Sequence, residues 1–189
     1  MVAPARTQLR EAGFTLVEMV AVMALALSIG AIAAPRINAF LRLQQATTAA
    51  RMVERELQTA RLKAVSASRA LRVRFNCPAA EQMRILELTG VAATDDATNR
   101  CSPTAFPSPG PVDSLRATPS LDSPVAYLPK GTTVAGASLH YEFSPQGVAH
   151  TVSPTGTVSP VNGDVVLTVT RQGVSRTVSI NDLGRVRIN

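Results

Sequence analysis

The sequence predicts an α+β protein in which one long N-terminal helix packs on an antiparallel β-sheet or a pair of such sheets. Three observations predict this fold: an apolar run near the start, small apolar residues at helical spacing after it, and short alternating segments in the C-terminal half. The chain has 189 residues, which leaves one domain of ordinary size beyond the apolar run. Aromatic residues make up only 4% of it, so the core must be largely aliphatic.

The apolar run covers residues 14–34, and Glu18 is its only ionisable side chain. At about 1.5 Å per residue, a helix of this length crosses the hydrocarbon core of a bilayer. Arg6 and Arg10 precede the run, and under the positive-inside rule they favour a cytoplasmic location for residues 1–13. A carboxylate inside a membrane helix costs roughly 2.5–3.5 kcal/mol, so Glu18 must serve a purpose.

Two general explanations of the apolar run are possible. One is a secretory signal peptide that is cleaved at Ala31-Ile32-Ala33, although the apolar region of such peptides is typically only about 7–15 residues long. The other is a plain signal anchor. Neither explanation gives Gly13 or Glu18 a role.

The segment Gly13-Phe14-Thr15-Leu16-Val17-Glu18 resembles the leader site of type IV pilins and type II secretion pseudopilins. In that family a prepilin peptidase cuts after the glycine and methylates the new N-terminal residue, here Phe14. The fifth mature residue is acidic, as Glu18 is, and a proline at mature position twenty-two is usual, as Pro35 is. The resemblance implies a cleaved leader over 1–13 and roles in filament assembly for Glu18 and Pro35. Glu18 of an incoming subunit would pair with the Phe14 amine of a neighbour, which offsets the cost of burying both charges.

The helix continues beyond the predicted membrane and filament-core segment, residues 14–35. Pro35 lacks a backbone N–H and should kink the helix without ending it. Residues 36–70 then form an amphipathic helix whose small apolar stripe favours packing on the chain's own sheet over a coiled-coil seam. The stripe consists of Leu43, Ala46, Ala50, Val53, Leu57, Ala60, Ala64 and Ala67. Its basic faces are either solvated or attract anionic lipid or DNA.

Residues 71–189 form the predicted β-rich domain. Leu71, Val73 and Phe75 alternate with two arginines, which indicates a half-buried strand. Further strands are predicted at 82–88, 139–143 and 183–188, with a hairpin of 164–170 and 174–180 around the connection Arg171-Gln172-Gly173.

A polar excursion interrupts the strands over residues 89–130, and it is proline-rich at about 101–130. Its composition predicts a long surface loop or a set of short edge strands. Cys77 and Cys101 bracket part of it. In an oxidising compartment they would pair, in a bridge worth on the order of 3 kcal/mol; two buried free thiols are the alternative.

The tail resembles one branch of the pilin superfamily, the H-type minor pseudopilins and FimT-like minor pilins that share the GspH/FimT domain. The similar segments are residues 143–147 (FSPQG), 165–169 (VVLTV) and 184–187 (GRVR). The resemblance implies a minor subunit of a type II secretion or type IV pilus filament, and leaves both machines open. It also implies a single-pass protein of the bacterial inner membrane with its domain in the periplasm. The implied partners are prepilin peptidase and other pilins or pseudopilins.

A second function is implied by the motif Gly184-Arg185-Val186-Arg187, because some FimT-like minor pilins use a Gly-Arg-x-Arg tail in DNA capture. Strand alternation places Arg185 and Arg187 on one face, where they would suit the phosphates of double-stranded DNA. Arg171 and Arg176 are possible helpers. Without interleaved aromatic residues, binding should be independent of base sequence. The alternative is a terminal strand whose arginines simply face water.

The sequence contains no recognisable catalytic constellation. Its only histidines, His140 and His150, lack a triad-like pattern and fit ordinary strand positions. The cysteines do not form a C-x-x-C pair, which argues against a zinc site. We therefore expect a substrate of a processing enzyme and not an enzyme, without a cofactor or a metal.

Overall fold

The computed structural model describes residues 15–110, 118–136, 140–153 and 156–189. The predicted α+β class is confirmed, because the described residues form one long helix, one short helix and antiparallel strands. The chain divides into two compact units, residues 1–41 and 42–189.

Helix α1 spans Leu16–Ala67 and passes through Pro35 without interruption. It ends at Ala67, slightly before the predicted limit at residue 70. The next residue, Ser68, has a positive φ of 52°. In the first unit its side chains are almost all exposed, including large apolar ones such as Leu16 and Leu27. Within the described residues, α1 is the one helix long and apolar enough to cross a membrane.

The second unit carries the strands and the short helix α2 (Ala92–Asp95). The strands are β1 (Leu71–Phe75), β2 (Gln82–Glu87), β3 (Ala126–Tyr127), β4 (Thr132–Gly136), β5 (His140–Phe143), β6 (Ala149–Val152), β7 (Val158–Pro160), β8 (Val165–Arg171), β9 (Val174–Ile180) and β10 (Val186–Ile188). They form a six-stranded sheet in the order β3-β2-β1-β5-β6-β7 and a four-stranded sheet in the order β10-β9-β8-β4. Every pairing is antiparallel.

The predicted β8–β9 hairpin is confirmed, although its connection is shorter than expected. Arg171 pairs with Val174, so only Gln172 and Gly173 form the loop. Both have positive φ, 50° and 76°, as a two-residue type I′ turn requires. The last predicted strand begins later than expected, because β10 starts at Val186 and not at residue 183. The predicted start of β5 at residue 139 lies outside the described residues.

The core lies between the second half of α1 and both sheets. The predicted apolar stripe packs there, with its members from Ala46 to Ala64 fully buried, whereas Leu43 and Ala67 are exposed. Small alanines let the helix backbone approach the strands, and larger side chains from the strands fill the space. These core strand residues include Leu71, Val73, Phe75, Ile85, Tyr141, Phe143, Leu167, Val178 and Ile180.

The opposite face of β1 and β2 is also buried, which corrects the prediction of a half-buried strand. Arg72 is only 5% exposed and Arg84 only 1%. Arg72 donates from Nε to Glu142 at 2.7 Å and pairs with Asp96 at 3.0 Å. These arginines are covered by other parts of the chain, and ion pairs compensate the loss of water around them.

The excursion, predicted as a surface loop or a set of short edge strands, contains the short edge strand β3 and is held on this second face by buried charges. Arg84 donates to the carbonyl oxygens of Ser123 (2.8 Å), Ser102 (3.2 Å) and Phe106. Arg100 pairs with Asp122, at 2.7 Å for the Nη2–Oδ1 bond. The described part of the excursion is therefore a packed layer around these side chains.

Two further contacts fix the excursion. Cys77 and Cys101 form the predicted disulfide, with their Cα atoms 5.3 Å apart. Glu87 accepts backbone N–H bonds from Ser120 (2.7 Å) and Leu121 (2.8 Å), and it pairs with Arg69 at 2.7 Å.

Candidate functional sites

The start of α1 forms the first candidate site. Thr15 precedes the helix, its hydroxyl accepts the N–H of Glu18 at 3.3 Å, and its carbonyl accepts the N–H of Met19 at 3.2 Å. Thr-x-x-Glu is the spacing of a capping box, and a carboxylate in the first turn suits the positive end of the helix dipole. Glu18 therefore sits where the helix itself favours an acid. The Thr15–Glu18 spacing could have shown this in the sequence.

The surroundings of Glu18 are apolar and exposed. Leu16 is 80% exposed and Val17 is 75% exposed, and Glu18 is exposed as well. Among the described residues Glu18 forms no ion pair. Gly13 and Phe14 lie outside the described residues, so cleavage, methylation and the Phe14 partner stay predictions.

Pro35, the other predicted assembly residue, lies inside α1. Because proline has no N–H, the carbonyl of Ala31 loses its helical donor there. Its surroundings, Ala34 and Arg36, are exposed. The position is thus accessible to another molecule, and its part in assembly stays a prediction.

The second candidate site is the turn before β10. Asn181 organises it: its side chain accepts the N–H of Arg185 at 2.7 Å, and its carbonyl accepts the N–H of Gly184 at 2.9 Å. Gly184 has a φ of 71°, and a Cβ there would overlap the carbonyl oxygen of Gly147. Glycine is therefore required at the first position of the Gly-Arg-x-Arg segment.

Arg185 and Arg187 flank the buried Val186, and both are exposed. In the described part of the chain neither forms an ion pair. Their guanidinium groups are available to an anion from outside the chain.

The predicted helpers lie elsewhere. In the strand register, Arg187 of β10 lies opposite Ser179 of β9. Arg176 lies on the other face of β9, which it shares with the core residue Val178. Its Nε lies 3.4 Å from the hydroxyl of Thr47 on α1. Arg171, at the end of β8, donates to the carbonyl of Lys130 at 3.4 Å. Because side chains alternate along a strand, the structure does not bring Arg176 to the face of Arg187.

Arg61, one of the basic residues of the predicted amphipathic helix, lies beside the tail. Arg61 of α1 lines a groove of about 370 Å³ together with residues 184–187. Positions so far apart in the chain carry no local signal of their proximity.

The histidines occupy strand positions, as predicted: His140 begins β5 and His150 lies in β6. His140 lines a cavity of about 280 Å³ with Arg72, Arg74 and Asp96. Burial, followed by the charges of Arg74 and Arg72, lowers the pKa of His140 to about 4. The imidazole is therefore neutral near pH 7.

Comparison with protein-family models finds none that matches the chain, and curated proteins give no match either. Among solved structures, the type IV minor pilin FimU of Pseudomonas aeruginosa is similar in two crystal forms. In one, the sequences are 18% identical over 79% of this chain and 92% of FimU, with a TM-score of 0.46. In the other, they are 17% identical over 76% and 91%, with a TM-score of 0.45. Similarity of this size fixes neither family nor function.

Proposed function

We propose that the chain is a minor pilin or pseudopilin, a structural subunit of a type IV pilus or type II secretion filament. The observation that carries this proposal is the sequence spacing of Gly13, Glu18 and Pro35, together with the exposed apolar side chains of the first half of α1. Prepilin peptidase would cut after Gly13 and methylate Phe14. The subunit would wait in the inner membrane with its β-rich domain in the periplasm, and it would act without a cofactor or catalysis of its own.

Mass spectrometry of the protein from its membrane tests processing. We expect a mature chain that begins with N-methylated Phe14. Gly13→Val should leave an uncut precursor, because a branched side chain blocks the peptidase at the scissile bond, whereas Ala12→Val should be cut. An intact Met1 terminus, or a start at Ala34, would refute the proposal.

Assembly in the proposed filament depends on Glu18. Its exposed carboxylate would pair with the Phe14 amine of a neighbouring subunit, where low polarity strengthens the attraction. Glu18→Ala should insert into the membrane at least as well as wild type, since it removes a charge from the proposed membrane segment. It should nevertheless fail to crosslink into filaments.

Thr15→Ala is the matched control for the capping role. It removes the hydroxyl that accepts the Glu18 N–H, at a cost of about 0.5–2 kcal/mol in helix stability, and it leaves the charge in place. If both variants lose assembly equally, helix capping explains the effect and the charge pairing is wrong.

A second candidate function is sequence-independent binding of DNA by the tail. The observation that favours it is the exposure of Arg185 and Arg187, both without an ion pair among the described residues. Phosphate contacts release counterions, so binding should weaken with salt at a log–log slope of roughly −0.9 per phosphate.

The test uses the full chain in uncharged detergent micelles and duplexes of unrelated sequence. Arg185→Gln plus Arg187→Gln should flatten the salt slope by about two units. Arg51→Gln plus Arg55→Gln removes the same charge from the helix. Equal losses in the two variants would mean diffuse attraction and no site, and no binding by wild type in low salt would exclude the function.

A further inference from the structure

The groove beside the tail is lined by residues from α1 and from the turn before β10. Its volume is about 370 Å³, and its charged lining residues are Arg61, Arg185 and Arg187. The larger cavity of about 760 Å³, in contrast, places Arg69 and Arg72 among three carboxylates. Among the described residues that line the groove, no acidic side chain neutralises the arginines, so the groove favours anions.

Arg61 is held in place while most of its donors stay available. Its Nε donates to the carbonyl oxygen of Gly147 at 3.2 Å. A guanidinium has five N–H donors, so the terminal nitrogens keep their capacity to bind an oxyanion. In the part of the chain that the structure describes, Arg61 has no carboxylate partner.

Two glycine turns fix this arrangement. A Cβ at Gly147 would lie 3.2 Å from the Nε of Arg61 and 3.1 Å from Val65. A Cβ at Gly184 would lie 3.0 Å from the same Nε and would overlap the Gly147 carbonyl. The contacts that orient Arg61 therefore also set the position of the segment that carries Arg185.

We infer that Arg61 is the third cationic ligand of the tail site and contacts a backbone phosphate of nucleic acid together with Arg185 and Arg187. This inference rests on the proposed DNA-binding function. The planar fork of Arg61 matches a phosphate group, and its attachment to Gly147 lowers the entropy lost on binding. The described residues that line the groove include no aromatic side chain, so the contact reads charge and not base sequence.

The experiment is a salt titration of DNA binding by the full chain in uncharged detergent micelles, with two duplexes of unrelated sequence. Arg61→Gln should reduce the salt slope by about one unit for both duplexes. Arg61→Lys keeps the charge and should restore most of the slope. Arg55→Gln, at an exposed position of the same helix, should change it little. Urea unfolding of each variant separates binding from stability.

The outcomes distinguish the inference from the function on which it rests. If wild type binds, the tail double variant loses binding and Arg61→Gln matches Arg55→Gln, then Arg61 is not a ligand although the tail site stands. If Arg61→Lys fails to restore the slope and both Arg61 variants are destabilised in urea, Arg61 acts only by holding the turn, and the ligand role is overturned. Failure at unchanged stability would support a contact that needs the guanidinium fork. If wild type binds no DNA in low salt, both proposals are wrong.

Discussion

Both faces of the β1–β2 pair are buried, but one face carries apolar side chains and the other carries charged ones. Towards α1 they present apolar residues such as Val73 and Ile85, and towards the excursion they present Arg72 and Arg84. Apolar packing is non-directional and can relax around a change. A buried charge depends on each of its partners, because its desolvation is offset only while they are present. The charged face should therefore tolerate substitution less well than the apolar one.

The largest expected effect is on the charged face. Asp122 pairs with Arg100, whose side chain is only 1% exposed, and it also accepts the N–H of Glu87 at 2.8 Å. Asp122→Ala leaves that arginine buried without a carboxylate and should lower the free energy of unfolding by about 3–5 kcal/mol. Urea unfolding followed by the fluorescence of the buried Tyr141 measures this. Asp164→Ala, at an exposed site, is the control, and equal losses would show that the charges of this face do not hold the excursion.

The apolar core between the other face and α1 should respond somewhat less. Leu57 is fully buried between α1 and the sheets, so Leu57→Ala should cost about 2–5 kcal/mol in unfolding free energy. This range of values reflects how far the neighbouring side chains move into the cavity that the substitution leaves. Leu27→Ala in the first half of the same helix should leave unfolding of residues 42–189 unchanged, because Leu27 is 75% exposed. A loss there equal to that of Leu57→Ala would mean that the apolar segment belongs to the same core.

The disulfide joins the segment just after β1 to the excursion that covers the charged face. Its cysteines are 24 positions apart, so replacing both with alanine should lower the free energy of unfolding by about 3 kcal/mol in the chain-entropy account. Reductant should destabilise wild type by a similar amount and leave the double variant unchanged. If neither treatment matters, the buried charges alone hold the excursion in place.

The apolar core could be predicted from the sequence, whereas the burial of the charged face could not. The stripe from Ala46 to Ala64 and the β8–β9 hairpin are local patterns, so periodicity and turn residues find them. Arginines that alternate with apolar residues along β1 look like a solvent face. Their burial depends on Asp96 and on Glu142, which is distant in the chain.

The two candidate sites also differ in how much of them is visible in the sequence. The spacing of Gly13, Glu18 and Pro35 is local and visible in the sequence, and so is the Thr-x-x-Glu capping box. The contact of Arg61 with Gly147 exists only after α1 has packed on the sheets. No local pattern could place Arg61 beside the tail.

The effect that is smallest near neutral pH, and that appears only in acid, concerns His140 on the charged face. The pKa of His140 falls from 6.5 to about 4, because burial and the charges of Arg74 and Arg72 oppose its protonation. Below about pH 6.5 the unfolded chain binds a proton that native His140 does not, so stability should fall as pH drops towards about 4 and then level off.

Other groups of the chain also respond to pH, so the informative quantity is a difference between variants. We expect His140→Gln to lose less unfolding free energy than wild type over this interval, and His150→Gln to behave like wild type. Urea unfolding at a series of pH values measures all three proteins. Equal losses in wild type and His140→Gln would mean that His140 titrates normally, and the charged face would then be more hydrated than its buried arginines indicate.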